Sequence, residues 1–315
     1  MLKMEVACAA DAAYVPYCAA MLHSLLATHA DAAITVHFLH PPGLPQAGLD
    51  GLRSLVEGQP GAVFRSHAIA GERLAGLPVS DYFGPAMWYR LFLPELLPEQ
   101  PRVLYLDVDI LVVDRLDELW LMPLQGRCVA AVDNVVEPGL QPRIAALELP
   151  PGCTYFNSGV LLLDLERLRQ GLGERIRQIA CARGADVLWP DQDALNLALA
   201  TERLTLHPRW NCQNSLYFWR DLAERQYGKA PVAEALARPA VWHFEGPGLA
   251  KPWHYLNKHP ARRRWWRHMR QTPFPPPPVL GRDAFTFWLK PLPAALIPPA
   301  LRGQARLRAA LARLR

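Results

Sequence analysis

The sequence predicts an α/β fold with a mainly parallel central sheet flanked by helices, on two observations. Short apolar segments alternate with segments of helical periodicity as far as residue 134, the order that produces βαβ units. Several apolar segments end in polar residues, and open α/β sheets bind ligands at the carboxyl ends of their strands. The chain has 315 residues, 51% of them hydrophobic and 20% charged, so it can bury a sizeable core. It contains no uninterrupted apolar run of about 18 residues, so no membrane-spanning helix is predicted.

The predicted elements follow in chain order. The first strand covers 4–10, and charged residues around it make this segment unlike a signal peptide. The helix after it covers 16–29, because Pro16 suits a first turn that needs no N–H donor. A helix over 191–202 is predicted to have Asp191 as its N-cap. The other predicted strands cover 33–40, 61–69, 102–113, 128–134 and the start of 155–169, and the other helices cover 49–58 and 86–94.

The charged residues divide the chain into two parts, and the cysteines bear on its compartment. Residues 251–315 contain 14 lysines and arginines and one acid, Asp283, so their net charge is +13. Because the whole chain has a net charge of +5, residues 1–250 carry −8. The high pI therefore describes the tail, and bears on what the tail contacts. The six cysteines show no C-x-x-C spacing, so we expect free thiols in a cytoplasmic protein.

The segment RVLYLDVDILVV at 102–113 places two carboxylates in an apolar run. On a strand, Asp107 and Asp109 would project from the same side, while Val108 points into the sheet. Two unpaired anions at a buried strand end are costly to desolvate, and each raises the pKa of the other. A divalent cation removes this cost, and oxygen ligands suit Mg²⁺ or Mn²⁺. The alternative, a solvated strand end, fits the apolar surroundings less well.

The segment YRLFLPELLPEQPRVLYLDVDILVVDRLDELW resembles the central block of glycosyltransferase family 8. This retaining, GT-A-fold family includes bacterial lipopolysaccharide α-galactosyl- and α-glucosyltransferases and the glycogenins. Four further stretches resemble that family in the same order, and the resemblance covers residues 4–270: ACAADAAY, AAVDN, YFNSGVLLLDL with DQDALN, and WHFEGPGLAKPWH. It implies a GT-A nucleotide-diphospho-sugar transferase domain over 1–255. The implied activity moves a hexose from a UDP-sugar to a saccharide acceptor, in lipopolysaccharide or other cell-surface glycan synthesis.

The resemblance also implies where the donor binds. Asp107 and Asp109 would hold Mn²⁺, or alternatively Mg²⁺, against the diphosphate, with His243 as third ligand. Taken alone, His243 would more often be a core histidine. Ala10, Asp11 and Tyr14 match the uracil-binding stretch, although Ala13 stands where the family usually has asparagine, and Asp11 alone would serve equally as a helix cap. The remaining donor-binding positions implied by the family are Val108, Asn157, Gly246, Gly248 and Lys251.

Four residues match family positions around the transferred sugar. Arg90 would reach the sugar and the neighbouring acids, although alone it would read as a surface arginine. Asp133 would accept hydrogen bonds from donor hydroxyls, and Asp191 with Gln192 would line the sugar pocket. Because an amide is a poor nucleophile, we expect same-face departure and attack rather than a covalent intermediate on Gln192. The alternatives are a nucleotidyltransferase, which would ordinarily carry a glycine-rich loop after the first strand, and a nucleotide-sugar-binding protein without transferase activity.

The basic tail, 256–315, predicts a helical appendage that associates with a membrane. ARRRWWRHMR at 261–270 interleaves cations with tryptophans, and 301–315 places Leu307, Leu311 and Leu314 on one helical stripe. Such segments bind anionic lipid surfaces, which would put the enzyme on the cytoplasmic face of the inner membrane. No nucleic-acid-binding module is present, so no nucleic-acid partner is predicted. The alternative is a basic helix packed against its own domain.

Overall fold

A seven-stranded sheet occupies the centre of the computed structural model, which describes residues 2–79, 84–183, 189–293, 296–298 and 301. Its strand order is β3-β2-β1-β4-β7-β6-β8, and all strands run in one direction except β7, which is antiparallel to both neighbours. The predicted mainly parallel α/β sheet is therefore confirmed. The strands are β1 (Lys3–Ala9), β2 (Ala33–His40), β3 (Val63–Ala68), β4 (Arg102–Leu106), β5 (Ile110–Val112), β6 (Val129–Asp133), β7 (Phe156–Asp164), β8 (Arg203–Thr205), β9 (Cys212–Gln213) and β10 (Val241–His243).

Helices cover both faces of the large sheet. Successive residues of β4 alternate between two apolar clusters, with Leu104 and Leu106 on one face and Val103 and Tyr105 on the other. A strand buried on both faces reads as a continuous apolar run, which is why β4 stands out in the sequence. The helices are α1 (Val15–Thr28), α2 (Gln46–Glu57), α3 (Leu93–Leu96), α4 (Asp117–Leu121), α5 (Gln141–Ala145), α6 (Leu165–Arg167), α7 (Gly173–Arg183), α8 (Pro190–Leu199), α9 (Asn214–Phe218), α10 (Arg220–Tyr227), α11 (Lys229–Ala237), α12 (Arg262–Met269) and α13 (Ala284–Leu289).

The predicted strand over 102–113 is two strands that belong to different sheets. β4 pairs with β1 and β7 in the large sheet, whereas β5 pairs with β10 in a three-stranded sheet of order β5-β10-β9. The chain turns between them at 107–109, so Asp107 and Asp109 do not lie on one strand, and the same-side argument from strand periodicity is wrong. The carboxylates converge nevertheless, because the turn lies where the two sheets meet.

The predicted helix over 86–94 is replaced by 3₁₀ turns from Pro85 to Phe92, followed by the short helix α3. Pro94 lies in the first turn of α3, where its missing N–H needs no partner, so the helix begins around this proline instead of ending there.

The segment 261–270 packs against the body of the protein. Trp265 and Met269, on α12, are fully buried. The ring centroid of Trp253 lies 4.1 Å from that of Tyr17 on α1 and 5.2 Å from that of Trp265. This corrects the expectation for this segment, because its tryptophans cannot reach a lipid surface. The apolar stripe of Leu307, Leu311 and Leu314 lies outside the described residues, where it stays a prediction.

The described part of the chain contains no helix with both the length and the apolar character needed to cross a bilayer. Its six cysteines are all free thiols, as predicted.

Candidate active site

Three potential metal ligands meet at the junction of the two sheets. Asp107 follows β4, Asp109 precedes β5 and His243 ends β10, and one ligand atom from each lies within 4.8 Å of the others. Nε2 of His243 lies 3.4 Å from Oδ1 of Asp109 and 3.9 Å from Oδ2 of Asp107. Burial lowers the pKa of His243, but the neighbouring carboxylates, with Asp109 first among them, together raise it more, so the net shift is upward. An imidazole facing two carboxylates is a donor set that suits Mn²⁺ or Mg²⁺.

Asn211 orients the imidazole of His243, a role that no motif in the sequence indicated. Nδ1 of His243 lies 2.9 Å from Oδ1 of Asn211, an acceptor, so Nδ1 carries a proton and Nε2 is the nitrogen that faces the carboxylates. The Asn211 amide in turn donates from Nδ2 to Oδ1 of Asn157 at 2.7 Å, which fixes the orientation of the Asn211 side chain. Asn157, expected among the donor-binding residues, is buried and links the histidine to the large sheet.

Gly159 leaves the space in which the three ligands meet. Its backbone oxygen accepts a hydrogen bond from N of Asp107 at 2.8 Å. A Cβ at this position would lie 2.3 Å from Cε1 of His243 and 2.8 Å from Oδ2 of Asp107. Such contacts are shorter than non-bonded atoms tolerate, so any larger residue must displace a ligand.

Replacing Gly159 with alanine should therefore weaken Mn²⁺ binding by at least about tenfold, the effect expected when a metal ligand loses its orientation. Titration of free Mn²⁺ by electron paramagnetic resonance measures this affinity. Gly139→Ala is the matched control, because a Cβ there meets no atom within 4 Å and should leave binding unchanged. Wild-type affinity in Gly159→Ala would contradict the assignment of the cation to these ligands.

Arg90 is buried between the carboxylates of Asp107 and Asp191. Its Nη2 lies 3.0 Å from Oδ1 of Asp107 and 3.3 Å from Oδ2 of Asp191. Nη1 donates to the backbone oxygen of Ser158 at 2.6 Å, and the guanidinium carbon lies 4.2 Å from the ring centroid of Tyr105. The surface-arginine alternative is therefore wrong, because Arg90 is 6% exposed and neutralises two acids of the site.

Asp191 is not the N-cap that the sequence predicted. The capping position before α8 is Trp189, and Asp191 lies in the first turn of the helix. Pro190 starts the helix one residue earlier than expected, which turns the Asp191 side chain towards Arg90. Burial raises the pKa of Asp191, and the Arg90 guanidinium opposes that rise.

Gln192 has its side-chain amide engaged by the protein. Oε1 accepts hydrogen bonds from N and Oγ of Ser158 at 2.9 and 3.3 Å, and Nε2 donates to the hydroxyl of Tyr155 at 3.1 Å. The Tyr155 hydroxyl donates to Asp193. The amide oxygen thus points at the backbone of β7 in this arrangement.

Asp133 ends β6 at the same edge of the sheet, but its carboxylate is already paired. Oδ1 accepts from Nη1 of Arg203 and from Oγ1 of Thr154, the latter at 2.6 Å. Neither partner belongs to a motif recognised in the sequence. Thr154 and Arg203 are 21 and 70 residues away from Asp133, so only the fold brings them together.

The segment predicted to bind uracil follows β1. Ala10 is buried and donates its N–H to the Leu39 carbonyl, while Oδ1 of Asp11 accepts from N of Tyr14 at 3.1 Å. Asp11 therefore organises the turn before α1, but the capping position of that helix is Tyr14, so the capping alternative for Asp11 is wrong. The Tyr14 ring remains 41% exposed, with its centroid 5.3 Å from that of Tyr17, so one face is available for stacking.

The segment after His243 brings Lys251 into contact with one of the ligands, Asp109. Gly246 and Gly248 have φ values of 86° and 58°, which L-residues rarely adopt. Nζ of Lys251 contacts Oδ2 of Asp109 and donates to the Phe244 carbonyl at 2.9 Å. Burial raises the pKa of Asp109, but Lys251 and His243 lower it more strongly, so the carboxylate is held ionised. Val108 is nearly buried between the two acids.

Glu245 holds the chain after His243 in place and was missed in the sequence. Its carboxylate accepts hydrogen bonds from the backbone N–H groups of Asn214 and Ser215, at 2.6 and 2.9 Å. This contact fixes the start of α9 against the segment that carries the two glycines.

Comparisons with known proteins identify the family. A model described as glycosyl transferase family 8 matches residues 5–257. General stress protein A of Bacillus subtilis is 30% identical over 198 residues, which are 61% of this chain and 68% of that protein. The lipopolysaccharide 1,2-glucosyltransferase of Escherichia coli is 29% identical over 212 residues, 66% of this chain and 61% of that protein.

The fold also matches a solved structure. The galactosyltransferase LgtC, in complex with donor and acceptor sugar analogues, superposes with a TM-score of 0.74 and 26% sequence identity. The match covers 87% of this chain and 98% of LgtC, and it confirms the predicted GT-A fold.

Proposed function

Since the chain belongs to glycosyltransferase family 8, we propose that it is a metal-dependent, retaining transferase that moves a hexose from a UDP-sugar to a saccharide acceptor. The observation that carries this proposal is the convergence of Asp107, Asp109 and His243 where the two sheets meet. The similarity to a lipopolysaccharide glucosyltransferase supports an acceptor in lipopolysaccharide or another cell-surface glycan.

A divalent cation held by these three residues would act as a Lewis acid towards the departing diphosphate. The chain supplies the remaining functions around that position. The Lys251 ammonium places a second positive charge beside Asp109, and the exposed Tyr14 ring offers a stacking surface for the base. Arg90 pairs with both Asp107, a proposed ligand of the cation, and Asp191, which is expected to line the sugar pocket.

A donor screen with the purified protein tests the proposal. UDP-glucose, UDP-galactose and UDP-N-acetylglucosamine are incubated with Mn²⁺, with Mg²⁺ or with a chelator, and UDP release is measured without acceptor. We expect Mn²⁺-dependent release of UDP from at least one hexose donor. Release of pyrophosphate from a nucleoside triphosphate would instead indicate a nucleotidyltransferase, and silence with every donor would contradict the proposed activity.

The hydrogen bonds of Gln192 favour same-face departure and attack, in which a leaving phosphate oxygen takes the acceptor proton. Its oxygen is directed at N of Ser158, and an amide is in any case a weak nucleophile.

Replacing Gln192 with alanine should lower turnover by about ten- to a hundredfold without abolishing it, because the variant loses a buried hydrogen bond to the backbone of β7. Initial rates of UDP release, together with the affinity for UDP, measure the effect. Complete inactivity with intact UDP binding would argue for a covalent step on Gln192 instead.

Membrane association is proposed to use α13 rather than α12. Phe287 and Trp288 on α13 are 57% and 75% exposed, and Leu296 nearby in sequence is 54% exposed. Arg282 and Lys290 flank this helix, so an apolar tip is bordered by cations, the combination that binds an anionic lipid surface. This arrangement supports a peripheral location on the cytoplasmic face of the inner membrane.

The double variant Phe287→Ala, Trp288→Ala should bind vesicles of phosphatidylglycerol and phosphatidylethanolamine at least about tenfold more weakly, because it removes the apolar tip. Sedimentation with the vesicles measures binding. Leu121→Ala, on α4, is the matched control, since Leu121 is 64% exposed but lies outside the basic region. Equal binding by the double variant and the wild type would exclude α13 as the contact.

A further inference from the structure

The carboxylate of Asp133 is held in a closed arrangement with Arg203 and Thr154. Nη1 of Arg203 contacts Oδ1 of Asp133, and Nη2 donates to Oγ1 of Thr154 at 2.6 Å. The Thr154 hydroxyl completes the triangle by donating to the same Oδ1 at 2.6 Å. The side chains of Arg203 and Asp133 are 4% and 10% exposed, so this charged pair lies largely out of solvent.

Both contacts that reach the carboxylate, from Arg203 and from Thr154, fall on Oδ1. Within the described part of the chain, no hydrogen-bond donor reaches Oδ2 of Asp133. The backbone of Asp133 is fixed as well, because its carbonyl accepts from Nε2 of Gln213 at 2.9 Å and from the Tyr227 hydroxyl. Oδ2 is therefore the acceptor that the protein leaves unused on an otherwise immobilised side chain.

Asp133 lies at the edge of the sheet where the metal ligands meet. The next residue, Asn134, accepts from Nδ2 of Asn157 at 3.2 Å, and Asn157 continues through Asn211 to His243. β6 and β4 point in the same direction, with β7 between them, so Asp133 and Asp107 leave the sheet at the same edge. A carboxylate oxygen at this edge is suited to accept from a sugar hydroxyl.

We propose that Arg203 and Thr154 are positioning residues, which hold the Asp133 carboxylate in one orientation so that Oδ2 accepts a hydrogen bond from a hydroxyl of the bound sugar. This inference rests on the proposed function. Both residues would act on the sugar through Asp133, without contacting the sugar themselves. The guanidinium spans the two partners, with Nη1 on Oδ1 of Asp133 and Nη2 on the Thr154 hydroxyl, and its charge compensates the burial of the carboxylate.

Arg203 could instead be purely structural, since its guanidinium carbon also lies 5.4 Å from the ring centroid of Phe156. A double-mutant cycle separates the two roles, because a residue that acts only through Asp133 has no effect once that carboxylate is absent. The cycle compares Arg203→Gln, Asp133→Ala and their combination by kcat/KM for UDP release from the hexose donor that the wild type uses. Calorimetric affinity for UDP is measured on the same proteins.

We expect Arg203→Gln to lower kcat/KM by about tenfold, the effect of losing a hydrogen bond to a charged group. In the Asp133→Ala background the same change should alter kcat/KM by less than about twofold, within the usual error of additivity. UDP affinity should stay at the wild-type value throughout. Thr154→Val removes one hydroxyl from an exposed residue, so it tests the same geometry without disturbing the core, and Arg203→Lys should restore part of the activity.

Arg209→Gln is the matched control, because Arg209 is also paired with a carboxylate, Asp114 at 2.9 Å, and stacks on Trp210. Its kcat/KM should stay within twofold of wild type. Equal effects of Arg203→Gln in both backgrounds, or a parallel loss of UDP affinity, would overturn the positioning role. Absence of UDP release by the wild type with every hexose donor would contradict the proposed function itself, and this inference would fall with it.

Discussion

Replacing Asp109 with asparagine should remove Mn²⁺-dependent cleavage of the UDP-hexose, with kcat/KM reduced by at least about 10³-fold. Lewis-acid stabilisation by a metal is worth several kcal/mol, and each 1.4 kcal/mol corresponds to about tenfold in rate. The amide keeps the shape of the side chain but removes the charge that faces His243 and Lys251. UDP release in saturating Mn²⁺ measures the loss, and Mn²⁺ titration shows whether the cation still binds.

Asp114→Asn provides the matched control for this change. Asp114 is paired with Arg209 in the same region of the chain, but its side chain is 45% exposed and it takes no part in the ligand cluster. We expect this variant to keep wild-type activity. Cleavage at the wild-type rate by Asp109→Asn, or undiminished activity of the wild type in chelator, would exclude metal-dependent catalysis at this site.

Replacing Arg90 with methionine should lower the free energy of unfolding by about 3–5 kcal/mol, because two carboxylates lose the cation that compensates their burial. Asp191 is the more affected of the two, since its side chain is 9% exposed against 24% for Asp107. Turnover should fall as well, because the side chain also fixes the Ser158 carbonyl. Chemical denaturation measures the stability, and UDP release measures the turnover.

The stability deficit of Arg90→Met should depend on pH in a defined direction. The pKa of Asp191 is already raised by burial, and removing the guanidinium raises it further. A native state with a raised carboxyl pKa binds more protons than the unfolded state, so its stability increases as pH falls. The deficit should therefore shrink between pH 7 and pH 5. Adding Asp191→Asn should restore stability at pH 7 without restoring turnover, and a pH-independent deficit would contradict this account.

The sequence predicted the centre of the large sheet well because the central strands are buried on both faces. After Arg102, β4 is a continuous apolar run, and β1 and β2 are mostly apolar, as expected for strands in the centre of such a sheet. It could not predict the division at 107–109, because β5 is equally apolar and differs from β4 only in its partner strand. Partner choice depends on β10, more than a hundred residues further along the chain.

The ligands of the candidate site were recognisable from their family motifs, whereas the residues that hold them were not. Asn211 and Glu245 act on His243 and on the chain that follows it, and Arg203 acts on Asp133, through contacts between distant segments. Their roles depend on orientation, and neither residue type nor spacing encodes it. Composition misled for α12, where arginines suggested a lipid surface although the tryptophans between them complete the core.

The turn at 107–109 has a mechanical consequence. Two of the ligands come from this turn and the third from the end of β10, so a bound cation would act as a cross-link that shortens the effective loop between positions 109 and 243. Release of the ion and undocking of the three-stranded sheet would then be one cooperative event. Heating the protein with increasing Mn²⁺ should raise its melting temperature in a concentration-dependent way, and protease cleavage between these positions should slow in parallel.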